Sequence, residues 1–207
     1  MRFSLSRLSL FITSFAIILG FAQEASAFRV VIDAGHGGRD KGATQGAYFE
    51  KHLAMDTALR LRRYLRSKGI PVTLTRSRDR YIGLGARAAI ANRYRDAIFV
   101  SVHYNSAANR DATGSETFYY SQADRPLAQY VQYYMNGKLR NPNRGVKRRG
   151  FKVIRSCSRP SILVEPGFMS NRRELSRFLR PSQRQKVAEA IGTGIIRYRR
   201  AKARGRF

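Results

Sequence analysis

The chain has 207 residues, with 40 Lys and Arg against 13 Asp and Glu, 43% hydrophobic and 11% aromatic, enough apolar material for one packed domain. That composition excludes a disordered chain, and a single Cys excludes an intrachain disulfide framework and any multi-Cys zinc site. The formal charge of +27 points toward a polyanionic partner.

At the N-terminus, Arg2 and Arg7 precede an apolar run over residues 8–21, and Ala25-Ser26-Ala27 places small residues at the outer positions of an A-x-A cleavage site. This pattern predicts a signal peptide over residues 1–27, the alternative being an uncleaved anchor. The run is short for a bilayer span, no Arg-Arg pair precedes it and the only Cys lies far downstream, so no stable membrane anchor is expected. Cleavage removes Arg2, Arg7 and Glu24 and leaves residues 28–207 with a net charge of +26. The expectation is an exported protein, periplasmic or extracellular.

From residue 28 onward, short apolar runs alternate with longer helical patterns. That rhythm predicts a single α/β domain: a mostly parallel twisted sheet with helices on both faces. Residues 28–33 read as the first strand and 34–46 as a Gly-rich loop. Ala54, Ala58, Leu61 and Leu65 then mark a helix running to about Lys68, with Gly69 as its stop. Residues 71–75 read as a strand, 84–95 as a helix, 97–102 as a buried strand and 114–120 as another strand. After a helix over 123–139, residues 141–149 read as a loop, 151–154 and 161–165 as strands, and 182–198 as an amphipathic helix. Residues 199–207 are expected to be a basic, frayed tail.

The Gly-rich segment Asp33-Ala34-Gly35-His36-Gly37-Gly38-Arg39-Asp40-Lys41-Gly42-Ala43 fits neither nucleotide-binding fingerprint. Counted from Gly35, the third Rossmann glycine is replaced by Asp40, and Gly42 is not followed by the Lys-Ser/Thr of a P-loop. His36 is therefore either a turn residue or a functional group just past the C-terminal end of a strand, where open α/β sheets bind ligands. His103 directly follows the apolar run 98–102 and reaches the same sheet edge. Two imidazoles together suit a metal. Glu50 either completes a His-Glu-His set with an open fourth position or is a first-turn acid favoured by the helix dipole. Glu165 closes the apolar strand 161–164, where a carboxylate must be paired, solvated or used.

The stretches Val31-Ile32-Asp33-Ala34-Gly35-His36-Gly37-Gly38, Glu50-Lys51, His103-Tyr104-Asn105 and Leu163-Val164-Glu165-Pro166-Gly167-Phe168-Met169-Ser170-Asn171 resemble the zinc-dependent N-acetylmuramoyl-L-alanine amidases of bacterial cell walls. The resemblance runs from about Arg29 to about Tyr198 and takes in Leu74-Thr75-Arg76, the segment 87–92 and Val153-Ile154-Arg155. It implies one zinc ion held by His36, Glu50 and His103, and Glu165 as the catalytic carboxylate. It also implies peptidoglycan as the substrate, cut at the amide between the lactyl group of muramic acid and L-alanine. Tyr104 and Pro166 depart from the family pattern and are expected to reshape the cleft rim. The 61 residues between His103 and Glu165 are fully used by predicted elements, which leaves no segment to plug the site.

Arg155 is either a clamp for a substrate carboxylate or a solvated strand-end cation. Asp33 either orients a ligand His or caps the Gly-rich turn, His52 is expected at the surface or behind the ligands, and Cys157 is not expected to be catalytic. The basic surface points to anionic wall peptides or other anionic envelope polymers. No nucleic-acid motif is present, so no nucleic-acid partner is expected. The rival readings are a non-catalytic wall-binding module on the same scaffold and a basic binder of envelope polymer or nucleic acid.

Overall fold

The computed structural model describes residues 28–207, so the signal-peptide reading of residues 1–27 lies outside the described residues. The chain alternates strands and helices: β1 (Arg29–Ala34), β2 (Thr44–Gln45), β3 (Tyr48–Phe49), α1 (Glu50–Arg66), β4 (Val72–Leu74), α2 (Leu84–Asn92), β5 (Ala97–Val102) and β6 (Ser115–Tyr119). There follow α3 (Arg125–Leu139), β7 (Asn143–Arg148), α4 (Lys152–Arg155), β8 (Ser161–Glu165), α5 (Arg172–Phe178) and α6 (Pro181–Ala203). Six strands form one sheet in the order β4-β1-β5-β8-β6-β7. The first four run parallel, β6 runs antiparallel to β8, and β7 is parallel to β6.

The near-continuous apolar runs of β1, β5 and β8 are explained by burial on both faces. Val30, Ile32, Val100, Val102, Ile162 and Val164 point to one side, against Leu61 and Leu65 of α1, Leu127 and Val131 of α3, and Ile191 and Ile195 of α6. Their alternates Val31, Phe99 and Leu163 point to the other, against Ala91 of α2 and Val153 and Ile154 of α4. Each such aliphatic side chain contributes roughly 1.5–3 kcal/mol when fully buried, so the two faces together carry the stability of the sheet. Helix α6 lies unusually close to its neighbours. A Cβ on Gly192 would fall 2.4 Å from the Tyr64 ring of α1, and one on Gly194 would fall 2.6 Å from Val131 Cα of α3.

Several expectations are corrected. Residues 141–149 are not a loop: β7 is an edge strand whose charged sequence resembles a loop, because polar side chains are what edge strands tolerate. The short run 151–154 is not a strand. It forms the single helical turn of α4, a case that a four-residue apolar run does not distinguish. Helix α5 was not expected at all; the Asn171 side chain caps it by accepting from the Arg173 and Glu174 N–H groups. The tail is not frayed from residue 199, since α6 runs on to Ala203 and the Phe207 ring stacks on Tyr198 at 5.3 Å.

Candidate metal centre at the sheet edge

Strands β1, β5 and β8 are neighbours with Ala34 opposite Val102 and Val102 opposite Val164, so their C-terminal ends stop at one level. His36, two residues past β1, His103, the residue after β5, and Glu165, the last of β8, therefore share one rim. Glu50 joins them as the first residue of α1. Its Oε2 lies 3.0 Å from His36 Nε2 and its Oε1 lies 2.8 Å from His103 Nδ1. One donor atom from each of the three residues lies within 4.8 Å of the others, and the two imidazoles meet edge-on.

Glycines permit this convergence. A Cβ on Gly35 would sit 2.5 Å from the His103 ring, and one on Gly42 would sit 2.5 Å from the His36 ring and 2.6 Å from Glu50 Oε2. His36 itself adopts φ +58, a left-handed conformation that a non-glycine residue holds only when its surroundings impose it. Two buried arginines impose it. Arg87 donates to the carbonyls of Ala34 and His36, each at 2.7 Å, and to Asp33 at 2.9 Å. Arg76 donates to the carbonyls of Ala34, Gly35 and Lys51, tying the loop to α1.

Asp33 is neither a partner of a ligand His nor a turn cap. It is fully buried and also accepts from the Thr75 and Ser101 hydroxyls, joining β1 to both neighbouring strands. The replacement Arg87→Met would strand that carboxylate with only neutral donors. The expected result is a loss of about 3–5 kcal/mol in urea-induced unfolding, the usual consequence of removing one partner from a buried ion pair. A loss below about 1 kcal/mol would show that Arg87 is not what holds the loop.

Asp40, which the sequence reading overlooked, accepts from His36 Nδ1 at 2.8 Å and so leaves Nε2 as the nitrogen facing Glu50. A carboxylate behind a metal-binding imidazole fixes its tautomer in this way. The only sequence signal for it is an acid four residues after His36 on a glycine-rich turn. Burial alone would raise the Glu50 carboxyl pKa, but the imidazoles of His103 and His36 outweigh it and hold the group well below the usual carboxylate range. His36 titrates above its ordinary value: burial opposes this, but Glu50 and then Asp40 prevail.

Glu165 differs in kind. It lies outside the three-residue cluster, and its pKa is pushed well above the ordinary carboxyl value by burial and then by the negative charges of Glu50 and Glu116. Among the described residues, no hydrogen-bond partner reaches its buried Oε2. Glu116 was also overlooked. Because β6 runs antiparallel to β8, its first residues come back to the same rim, and Glu116 lies in register with Glu165. Asn105 donates to Glu116 at 2.6 Å, and Arg144 and Lys147 of β7 pair with it.

Arg155 is not brought to this rim. It ends α4, and the following Ser156 carbonyl accepts from Asn92 at the close of α2, beside the opposite, N-terminal edge of β5. Tyr104 does not shape the cleft rim as expected: it is buried in the core, bonded to Thr57 at 2.7 Å and packed edge-on against Phe178. His52 is exposed against Phe49. Cys157 is half-buried beside Asn92, and burial raises its thiol pKa, which disfavours the reactive thiolate.

Two imidazoles and a carboxylate fit a zinc-type ion, and the set leaves a position open for substrate. A His-Glu-His set with a separate, unpartnered carboxylate, all at the C-terminal edge of an open α/β sheet, is the layout of a metal-dependent hydrolase. The chain belongs to the N-acetylmuramoyl-L-alanine amidase family, whose sequence model matches residues 30–197. It is 31% identical over 186 residues to the germination-specific N-acetylmuramoyl-L-alanine amidase of Bacillus subtilis, covering 82% of this chain and 78% of that one. Among solved structures, it resembles an N-acetylmuramoyl-L-alanine amidase from Clostridium difficile 630, with TM-score 0.82 and 34% identity over 86% of this chain and 100% of the other. It also resembles AmiC2 of Nostoc punctiforme, with TM-score 0.80 and 37% identity over 84% of this chain and 97% of the other.

Proposed function

We propose that this chain hydrolyses the amide between the lactyl group of N-acetylmuramic acid and L-alanine in peptidoglycan, with one zinc ion held by His36, Glu50 and His103. The observation that carries the reading is the buried, unpartnered Oε2 of Glu165 beside a complete donor set. When bound, zinc supplies a Lewis acid that polarises an amide carbonyl and acidifies water enough for attack near neutral pH. Glu165 Oε2 takes the proton of the attacking water and delivers it to the leaving nitrogen. The raised proton affinity of that carboxyl suits both halves of the exchange. Asp40 holds His36 in the tautomer that presents Nε2, and Arg76 and Arg87 keep the loop backbone fixed while the reaction proceeds.

Among the described residues, no helix is long and apolar enough to cross a membrane. The +26 of residues 28–207 draws it to anionic wall peptides and envelope polymers, attraction that acts over about 8 Å at physiological salt. The segments between His103 and Glu165 are built into the sheet and its faces as β6, α3, β7 and α4. The protein is therefore expected to act without a partner that displaces a plug.

The test is to digest purified wall with the zinc-loaded protein and identify the new termini by mass spectrometry. New L-alanine amines with intact lactyl carboxylates are expected; new reducing sugar ends, or cuts between D-amino acids, would overturn the bond assignment. In the same assay, sedimentation with wall should weaken as salt rises while turnover of a small soluble muramyl-peptide changes far less. Salt-independent sedimentation would remove the electrostatic part.

A further inference from the structure

The basic C-terminal tail closes a pocket of about 220 Å³ between α6 and α3. Arg197, Arg200, Ala201 and Arg204 recur at helical spacing and share one face of α6, with Tyr130 and Tyr134 of α3 opposite. Helix α6 ends on a left-handed Gly205, φ +64; the Gly205 N–H donates to the Lys202 carbonyl at 3.0 Å and the Arg206 N–H to the Ala201 carbonyl at 3.2 Å. That cap turns Arg206 back to the pocket, and Phe207 is held there by Tyr198 and by the Tyr130 ring at 6.2 Å. The Arg199 guanidinium, 5.0 Å from the Phe28 ring, ties this end of α6 to the start of β1, whereas His36 follows the other end of that strand. The pocket therefore lies at the edge of the sheet opposite the metal centre.

Four guanidinium groups thus surround one small pocket whose lining includes no acid. Among the described residues, none of the four pairs with a carboxylate. The helix dipole favours cations in the last turn, and so accounts neither for Arg197 nor for the returned Arg206. Like charges gathered in this way repel, a cost that an anion among them removes. Next to the pocket, Tyr130, Tyr133 and Tyr134 line an aromatic hollow of about 350 Å³. Tyr133 is 72% exposed and Phe207 49%, so cations and open aromatic rings share this face.

We propose that this face docks reversibly on an anionic phospholipid bilayer, with one headgroup phosphate entering the arginine pocket and the tyrosines resting at the headgroup level. The reading goes beyond the hydrolysis and does not depend on it. Guanidinium forks match phosphate oxygens bidentately, and the capped tail holds them in place before the anion arrives. A soluble phosphodiester polymer calls for a track of cations, whereas here the cations close on a single small pocket and the surface beside it is aromatic. Tyrosine rings, apolar with one polar end, suit the boundary between lipid and water. In the signal-peptide reading, Phe28 is also where the chain leaves the bilayer on export, so this end of the domain meets lipid first.

The experiment is sedimentation with vesicles of phosphatidylglycerol and phosphatidylcholine in equal parts. It uses residues 28–207, which hold the whole sheet and both its packed faces, because the apolar run 8–21 would itself enter lipid. Partition onto these vesicles should exceed that onto phosphatidylcholine alone by about a hundredfold or more. The double replacement of Arg200→Gln and Arg204→Gln should weaken it about thirtyfold while circular dichroism and thermal unfolding stay unchanged, as expected at exposed positions. Arg172→Gln with Arg173→Gln, exposed on α5 at the other end of the domain, removes the same charge and should change partition by less than about threefold. Tyr133→Ser should weaken vesicle binding several-fold and leave binding of soluble polyphosphate unchanged. Equal partition onto the two kinds of vesicle, or an equal loss from the distant pair, would overturn the docking face. Binding to polyphosphate as tight as to vesicles, with Tyr133→Ser weakening neither, would make lipid the wrong partner.

Discussion

Replacing Glu165 by Gln is expected to lower turnover by about 10²–10⁴-fold and to leave zinc content unchanged. The separation follows from position. Glu165 is outside the donor cluster, so its loss removes a proton carrier and no ligand. Stability should move in the opposite direction. Burial and the charges of Glu50 and Glu116 raise the Glu165 pKa in the folded state, so ionising this group opposes folding. The group supports the fold fully below its unfolded pKa, about 4.3, and that support is lost as pH rises toward the raised folded value. Metal-free protein carrying Glu165→Gln should therefore melt at a higher temperature than the unaltered protein near neutral pH, with the advantage fading in acid. A variant that came out without zinc, or one that was less stable at neutral pH, would contradict the role given to Glu165.

His36→Ala and His103→Ala are each expected to abolish both zinc retention and hydrolysis, the largest effects the site offers, because either change leaves only two donors. Asp40→Asn should fall between these and the unaltered protein. It keeps the size of the side chain but weakens its hold on His36 Nδ1, and the loss of such a supporting carboxylate lowers metal affinity by about 10–100-fold. Metal analysis after dialysis against graded chelator distinguishes the three. If Asp40→Asn matched His36→Ala, Asp40 would be a ligand and not its support; if it matched the unaltered protein, the hydrogen bond would be incidental.

The parts of the fold that were legible share one cause. β1, β5 and β8 are buried on both faces, and such strands write themselves as unbroken apolar runs with functional groups at their ends. His36, His103 and Glu165 stood out because each ends or follows one of these runs. Glu50 was visible only as an acid at a helix start, a position that the helix dipole favours without any ligand.

What was hidden depends on chain direction and on the identity of partners. Nothing in residues 114–120 says that β6 turns antiparallel to β8, yet that reversal is what carries Glu116 to Glu165. In a chain with 40 cations, Arg76 and Arg87 look like solvated surface groups. They are in fact 1% exposed and hold the His36 loop through the carbonyls of Ala34, Gly35 and His36, besides Asp33. The polar edge strand β7 and the one-turn helix α4 escaped because neither period is expressed over so few residues. Arg155 shows the converse error, a residue given a role by its type and then placed away from the rim by that same turn.

The most direct test of the metal centre is an anomalous-difference map recorded at the zinc absorption edge from crystals of the zinc-loaded protein. One peak should appear, bonded to His36 Nε2, His103 Nδ1 and the Glu50 carboxylate, with Glu165 nearby and unbonded. A map with no peak between these three residues, or one in which Glu165 is bonded to the ion, would contradict it.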